Sequence, residues 1–179
     1  MEYLWNSETL RKITRGQTNK NWDISGVSID TRNLKKGDMF CAIKGKNYNG
    51  HNYLRDAFNK GASAALISEE EYSHSDMPYL KVGNVIKAIQ KIAKYSRSSS
   101  NAKFISLTGS VGKTGTKEMM RNAFGKVAKV YASQGNLNNH IGLPLSLCRM
   151  PKNTEICILE LGMNKSGEIK RLSEICNPE

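Results

Sequence analysis

The chain has 179 residues, of which 39% are hydrophobic and 24% charged, ordinary usage for a globular protein that excludes wholesale disorder. No run reaches the roughly 18 apolar residues of a membrane-spanning helix, and the first ten residues carry Glu2 and Glu8 but no apolar signal core, so a cytoplasmic protein without membrane insertion is expected. The net charge of +11 comes from lysines and arginines scattered mostly one or two at a time, with no basic helix and no RNP-like or zinc-finger spacing; no nucleic-acid partner is expected, and a basic surface would also suit anionic small molecules.

In chain order, residues 24–29 and 38–43 have the composition of short strands, the second following the turn Lys36-Gly37-Asp38. Tyr53, Leu54, Ala57 and Phe58 recur at helical spacing between His51 and Lys60, and Gly61 supplies a stop. Residues 64–67 read as a buried strand, His74 as surface within a polar stretch, and residues 85–96 as a helix with Ile86, Ile89, Ile92 and Ala93 on one face. The small polar residues from Ser96 to Lys103 mark a linker or domain edge, so two domains are expected, 1–100 and 101–179. Beyond it come a strand at 104–108, a glycine-rich turn, a helix at 116–127 and strands at 130–132 and 156–161. Strands alternating with helices imply an α/β fold with a parallel sheet, here of about three strands, with the apolar run 156–161 at a potentially unpaired edge. The four cysteines lack C-x-x-C spacing and read as reduced core or near-core thiols.

The segment Thr108-Gly109-Ser110-Val111-Gly112-Lys113-Thr114 carries the most chemistry. A glycine loop between a strand and a helix turns successive backbone N–H groups toward phosphate oxygens, and the helix N-terminus adds positive potential. Gly109, Ser110, Val111, Gly112, Lys113 and Thr114 are therefore the candidate ATP contacts, with Lys113 reaching the β- and γ-phosphates as the catalytic residue and the Thr114 hydroxyl available to Mg²⁺. The general spacing asks for a glycine where Leu107 stands. Glu160 ends an apolar strand at its C-terminal edge, where ligands gather in parallel sheets, and is the second metal candidate; the alternative is a carboxylate that simply meets solvent. Asn138 and Asn139 follow a glycine in a polar turn, where asparagine suits both turn chemistry and substrate contact. Arg32 and Lys44 near strand ends either face an anionic ligand or are solvated, and neither His51 nor His140 is assigned acid/base work.

The loop T-G-S-V-G-K-T resembles that of the Mur ligase family and its folylpolyglutamate synthetase relatives, in which the leading glycine is likewise missing. Thr116-Lys117-Glu118-Met119-Met120, the segment 134–145 with its Asn-Leu-Asn-Asn-His-Ile-Gly run, and the segment 160–169 beginning Glu160-Leu161-Gly162 resemble successive motifs of the same family. Ile29-Asp30-Thr31-Arg32, residues 36–40, Ala42-Ile43-Lys44-Gly45 and Gly50-His51 resemble its UDP-sugar-binding domain, so the resemblance runs from Ser28 onward. It implies a small mixed N-terminal UDP-binding domain followed by the start of a P-loop parallel-sheet domain, with ATP and Mg²⁺ as cofactors. The implied substrate contacts are Thr31, Arg32, Lys44, Gly45, Asn49, Gly50, His51, Asn138 and Asn139. The implied reaction is ATP-driven amide formation through an acyl phosphate, joining D-alanyl-D-alanine to UDP-N-acetylmuramoyl-tripeptide in peptidoglycan synthesis. Departures are Asn49 where aspartate is expected, Thr31 where serine is usual and Gly115 where a hydroxyl residue follows the loop threonine. The family's enzymes have three domains, so the chain is expected to be an N-terminal segment that needs its missing C-terminal part as partner and is inactive alone. A non-catalytic nucleotide- or UDP-sugar-binding module and a ligase of the neighbouring third-residue step are the alternatives.

Overall fold

The structure, a computed structural model, describes residues 3–74 and 76–179 except for the side chain of His74, so the expectation for that histidine lies outside the described residues. The chain forms two compact units that divide between Ile92 and Ala93.

In the first unit, β1 (Trp5–Asn6) leads into α1 (Ser7–Thr14), whose start is capped by Asn6 Oδ1 accepting the Thr9 N–H at 2.8 Å. β2 (Gln17–Thr18) follows. The single strand expected at 24–29 is two: β3 (Asp23–Ile24) pairs antiparallel with β1, while β4 (Gly26–Ser28) joins the main sheet. Between them the Ser25 N–H bonds to the Gly37 carbonyl at 3.0 Å, which ends one ladder before the next begins. β5 (Asp38–Cys41), β6 (Ala64–Ile67) and β7 (Tyr79–Lys81) complete a five-stranded sheet of order β2-β7-β6-β5-β4, parallel except where β2 meets β7. Every residue of β5 and β6 is buried, as expected of parallel strands covered on both faces. Phe40, Ala42, Ala65 and Ile67 pack with Leu54 and Ala57 of α2 (Leu54–Asn59). The helix expected from His51 begins instead as a 3-10 turn, Gly50–Tyr53, because Asn49 Oδ1 accepts the His51 N–H at 3.0 Å and tightens the first turn.

The division falls inside α3 (Val85–Ser98), so Ser96 and Ser98 of the expected linker are helical; Ser96 is buried and its hydroxyl donates to the Leu147 carbonyl at 2.8 Å. The second unit holds β8 (Lys103–Leu107), α4 (Lys113–Phe124), β9 (Val130–Ala132), α5 (Gly142–Arg149), β10 (Ile156–Glu160) and α6 (Glu168–Cys176). Its sheet is parallel with the order β8-β10-β9, which corrects the expectation that residues 156–161 form an unpaired edge. β10 is the central strand, paired on both sides, and its apolar run is what burial on both faces requires. Arg97 lies 4.0 Å over the Phe104 ring and donates to the carbonyls of Cys176 and Asn177 at the end of α6. All four cysteines are buried thiols outside any disulfide, and burial pushes the Cys157 and Cys176 thiols up, so both stay neutral. No helix among the described residues is long and apolar enough to cross a membrane.

Candidate functional site

β8 ends at Leu107, five residues bend, and α4 starts at Lys113, three residues earlier than its expected start. Gly112 is the N-cap, with φ at 80°, a left-handed conformation that strains any side-chain-bearing residue although a Cβ there would meet nothing within 4 Å. No side chain caps α4, so its first-turn N–H groups face the loop as an anion-binding end. Lys113 Nζ folds over the loop and donates to the Gly109 carbonyl at 2.6 Å. Residues 108–112 are all exposed.

Glu160 lies at the C-terminal end of the central strand and is 3% exposed, so it is no solvent-facing edge carboxylate. Its Oε2 accepts the Thr114 hydroxyl at 2.9 Å and its Oε1 accepts Asn138 Nδ2–H at 3.0 Å, while its N–H donates to Ser133 Oγ at 3.2 Å. The two expected metal ligands are thus in contact. A hydroxyl and a single carboxylate are hard oxygen donors that fit Mg²⁺, an ion that keeps several waters and takes further oxygens from phosphates. Among the described residues no group of three or more His, Cys, Asp or Glu side chains could cage a metal. The two asparagines differ in role. Asn138 reaches Glu160, while Asn139 Oδ1 accepts the N–H groups of Ile141 at 3.0 Å and Gly142 at 2.9 Å and fixes the entry to α5.

In the first unit an open pocket of about 450 Å³ is lined by Ile29, Asp30, Thr31, Arg32, Phe40, Tyr48 and Tyr53. The Asp30 carboxylate accepts from Arg32 Nη2 at 2.6 Å and from the Arg32 backbone N–H at 2.9 Å, and these bonds hold its pKa down at about 2. The Thr31 hydroxyl bonds to Asp56, whose carboxyl is held low by it and by Lys60. The rings of Tyr48 and Tyr53 stand 5.7 Å apart.

Lys44, Asn49 and His51 are not among that pocket's lining residues; they converge on Glu69. Lys44 Nζ donates to Glu69 Oε1 at 2.6 Å and Asn49 Nδ2 to Oε2 at 3.1 Å. His51 is 1% exposed, and burial above all lowers its pKa. Its Nε2 accepts the Ser68 N–H at 2.9 Å, so the ring proton sits on Nδ1 and is donated to Asn49 Oδ1 at 2.8 Å. A neutral His51 forms no ion pair with Glu69 across 3.9 Å. Gly45 donates to the Tyr48 carbonyl at 2.7 Å and Gly50 to the Ile43 carbonyl at 2.8 Å, closing the loop that carries Tyr48 toward the pocket.

The Mur ligase middle-domain family matches residues 107–179, and the Mur ligase family catalytic-domain description matches residues 23–97. The UDP-N-acetylmuramoyl-tripeptide--D-alanyl-D-alanine ligases of Rickettsia prowazekii and Bacillus subtilis are 41% and 39% identical to it over 98% and 87% of the chain. The chain belongs to the Mur ligase family. It spans 39% and 34% of the length of those two relatives. The UDP-N-acetylmuramoylalanyl-D-glutamyl-2,6-diaminopimelate--D-alanyl-D-alanyl ligase of Acinetobacter baumannii superposes with a TM-score of 0.84 at 30% identity, covering 97% of this chain and 40% of that one. The MurF ligase of Thermotoga maritima in complex with ADP superposes at 0.70 with 31% identity, over 86% of this chain and 35% of that one.

Mur ligases are ATP-dependent, and the loop, Thr114 and Glu160 are where this chain gathers groups suited to a nucleotide and its cation. Three residues that contact or brace the candidate site residues escaped the sequence. Glu69 follows a strand 18 residues after His51 and shows no local sign of the partners it meets. Ser133 comes directly after β9, in a stretch whose hydroxyl has many ordinary uses. Lys117 lies on a helix, where a lysine ordinarily signals solvent, yet it is 1% exposed.

Proposed function

We propose that the chain is the nucleotide- and UDP-sugar-handling portion of a cytoplasmic ligase that adds D-alanyl-D-alanine to UDP-N-acetylmuramoyl-tripeptide in peptidoglycan synthesis. The observation that carries the chemistry is the convergence of Lys113, Thr114 and Glu160 at one end of the parallel sheet, beside an uncapped helix N-terminus. The names of the relatives support the choice of step.

In this reading the tripeptide's terminal carboxylate attacks the γ-phosphate of ATP, forming an acyl phosphate and ADP. The dipeptide amine then attacks the acyl carbon and expels inorganic phosphate. The backbone N–H groups of residues 109–114 hold the phosphate oxygens, and Lys113 leaves the Gly109 carbonyl to meet the charge on the transferred phosphoryl group. Thr114 and Glu160 would hold Mg²⁺, which supplies charge neutralisation at the phosphates. Asn138 keeps the Glu160 carboxylate oriented, and Asn139 braces the turn beside it.

The pocket between Arg32, Tyr48 and Tyr53 suits the uridine diphosphate end: tyrosine faces take a flat ring, and Arg32, 83% exposed along its side chain, can turn from Asp30 to a phosphate. Lys44, Gly45, Asn49, Gly50 and His51 serve that end by shaping the loop under Tyr48. With 34–39% of its relatives' length the chain by itself is expected to give no product, because the groups that place the incoming amine contribute on the order of 7–11 kcal/mol through proximity.

The test is a chimera in which residues 1–179 replace the matching segment of the Bacillus subtilis ligase. UDP-N-acetylmuramoyl-pentapeptide formation that needs ATP and disappears with Lys113→Ala supports the proposal. A folded chimera that binds both substrates yet forms no product contradicts it.

A further inference from the structure

Lys117 is a fully buried ammonium that the proposed chemistry does not use. It lies one turn beyond Lys113 on the same face of α4, 1% exposed. Its Nζ donates to the Ser133 carbonyl at 2.7 Å and stands 3.5 Å from Glu118 Oε1, a carboxylate that also bonds Arg121. Desolvating an ammonium is costly, and an apolar side chain of similar volume in such a place is commonly neutral or stabilising. Packing of α4 on the sheet therefore does not by itself call for a lysine. What the ammonium supplies, and a methyl group cannot, is a fixed point for one carbonyl.

That carbonyl belongs to a residue with a second role. Ser133, also 1% exposed, accepts the Glu160 N–H on its Oγ at 3.2 Å and donates its own N–H to the Ile158 carbonyl at 3.0 Å. The next residues form the loop that returns to the sheet at Asn138, whose amide donates to Glu160 Oε1 and whose carbonyl accepts the Gly162 N–H at 2.8 Å. The two buried charged side chains of this unit are thus joined through one serine.

We propose that Lys117 is a positioning residue: by clamping the Ser133 carbonyl it fixes both ends of the bracket, Ser133 and Asn138, in which Glu160 is presented to a divalent cation. The proposal rests on the reading of Thr114 and Glu160 as a cation site, so its test has one readout that needs no cation. In the isotope-labelled 179-residue chain, the side-chain amide signals of Asn138 report the bracket directly. Lys117→Met is expected to move them toward the position of a solvated asparagine and to raise their exchange about tenfold or more, the equivalent of one hydrogen bond to a charged group, with the unit still folded. Lys117→Arg, which keeps the donors, is expected to leave them near their original position. The second readout is the ratio of ADP affinity with Mg²⁺ to that with a chelator, which Lys117→Met should lower about tenfold while the chelator value stays within about twofold.

Asn138 signals and a Mg²⁺ ratio unchanged in a folded Lys117→Met variant overturn the proposal. Should that variant not fold, Ser133→Ala removes the anchor on Glu160 and keeps the carbonyl; a lower Mg²⁺ ratio then supports the bracket and an unchanged one overturns it. If the unaltered chain binds ADP without any Mg²⁺ enhancement, the cation reading of Thr114 and Glu160 falls, and the Asn138 signals still decide for or against Lys117.

Discussion

Replacing Gly162 by alanine should damage the Glu160 end of the sheet through a single contact. A Cβ on Gly162 would stand 2.8 Å from Asn138 Cγ and 2.9 Å from its Oδ1, closer than real Cβ contacts come, and 3.0 Å from its Nδ2, tighter than nearly all of them. All three atoms belong to one side chain, so the backbone can stay while Asn138 swings away. The swing breaks the 3.0 Å bond to Glu160 Oε1 and leaves a carboxylate that is 3% exposed short of one donor. A lost hydrogen bond to a charged group costs about 1.5–3 kcal/mol, so opening of β10 should become roughly tenfold to a hundredfold easier. Both tryptophans, Trp5 and Trp22, lie in the first unit, so fluorescence does not follow this region; native-state amide exchange of residues 156–160 does. In an Asn138→Ala background the clash has no target, and Gly162→Ala should then change exchange by less than about 0.5 kcal/mol. Equal losses in both backgrounds would show that the Asn138 contact is not the cause, and the account of how Glu160 is held would fail.

Lys113→Ala should weaken ADP binding by roughly tenfold to a hundredfold, the worth of a charge-assisted phosphate contact, with little change in thermal stability, since its ammonium bonds the Gly109 carbonyl of its own loop; unchanged affinity by calorimetry would remove the loop from nucleotide binding. The His51 pKa is depressed in the folded state, chiefly by burial, so its neutral form adds stability that is present above about pH 6.5 and lost as pH falls below it; urea midpoints of the first unit at pH 8 and 5.5 should differ, and the difference should shrink in His51→Gln. Asn49→Asp should set a carboxylate against Glu69 and destabilise the loop, and Glu69→Gln should restore it; a stable Asn49→Asp variant with Glu69 intact would deny that the amide orientation matters. The Asp30 carboxyl should titrate at about 2 and move up toward about 4 in Arg32→Ala; a midpoint that does not move would mean that Arg32 is not what holds it.

The strands at 64–67 and 130–132 and the phosphate loop were legible because their signals are local: a short apolar run, or glycines between a strand and a helix. Strand order was not, since β10 inserts between β8 and β9 through pairings that composition does not encode. Helix α5 went unread because every residue from Gly142 to Cys148 is buried, which leaves no polar face and hence no helical period, and Pro144 near its start resembles a break. The two-residue strands β1 and β2 are too short to carry a pattern. In the site, Thr114 and Glu160 were each legible from a local signal, the loop and the end of an apolar strand, whereas their contact, and the grouping of Lys44, Asn49 and His51 around Glu69, apart from Thr31 and Arg32, depends on tertiary placement that sequence spacing does not single out.

The central claim, that one chain carries a UDP-sugar pocket in its first unit and a nucleotide loop in its second, is tested most directly by titrating the isotope-labelled chain separately with UDP-N-acetylmuramoyl-tripeptide and with ADP and Mg²⁺. The account predicts that the first ligand shifts the amides of residues 29–32 together with Tyr48 and Tyr53, and that the second shifts residues 109–114 and Glu160. Shifts from UDP-N-acetylmuramoyl-tripeptide confined to the phosphate loop, or no response of that loop to ADP at millimolar concentration, would contradict it.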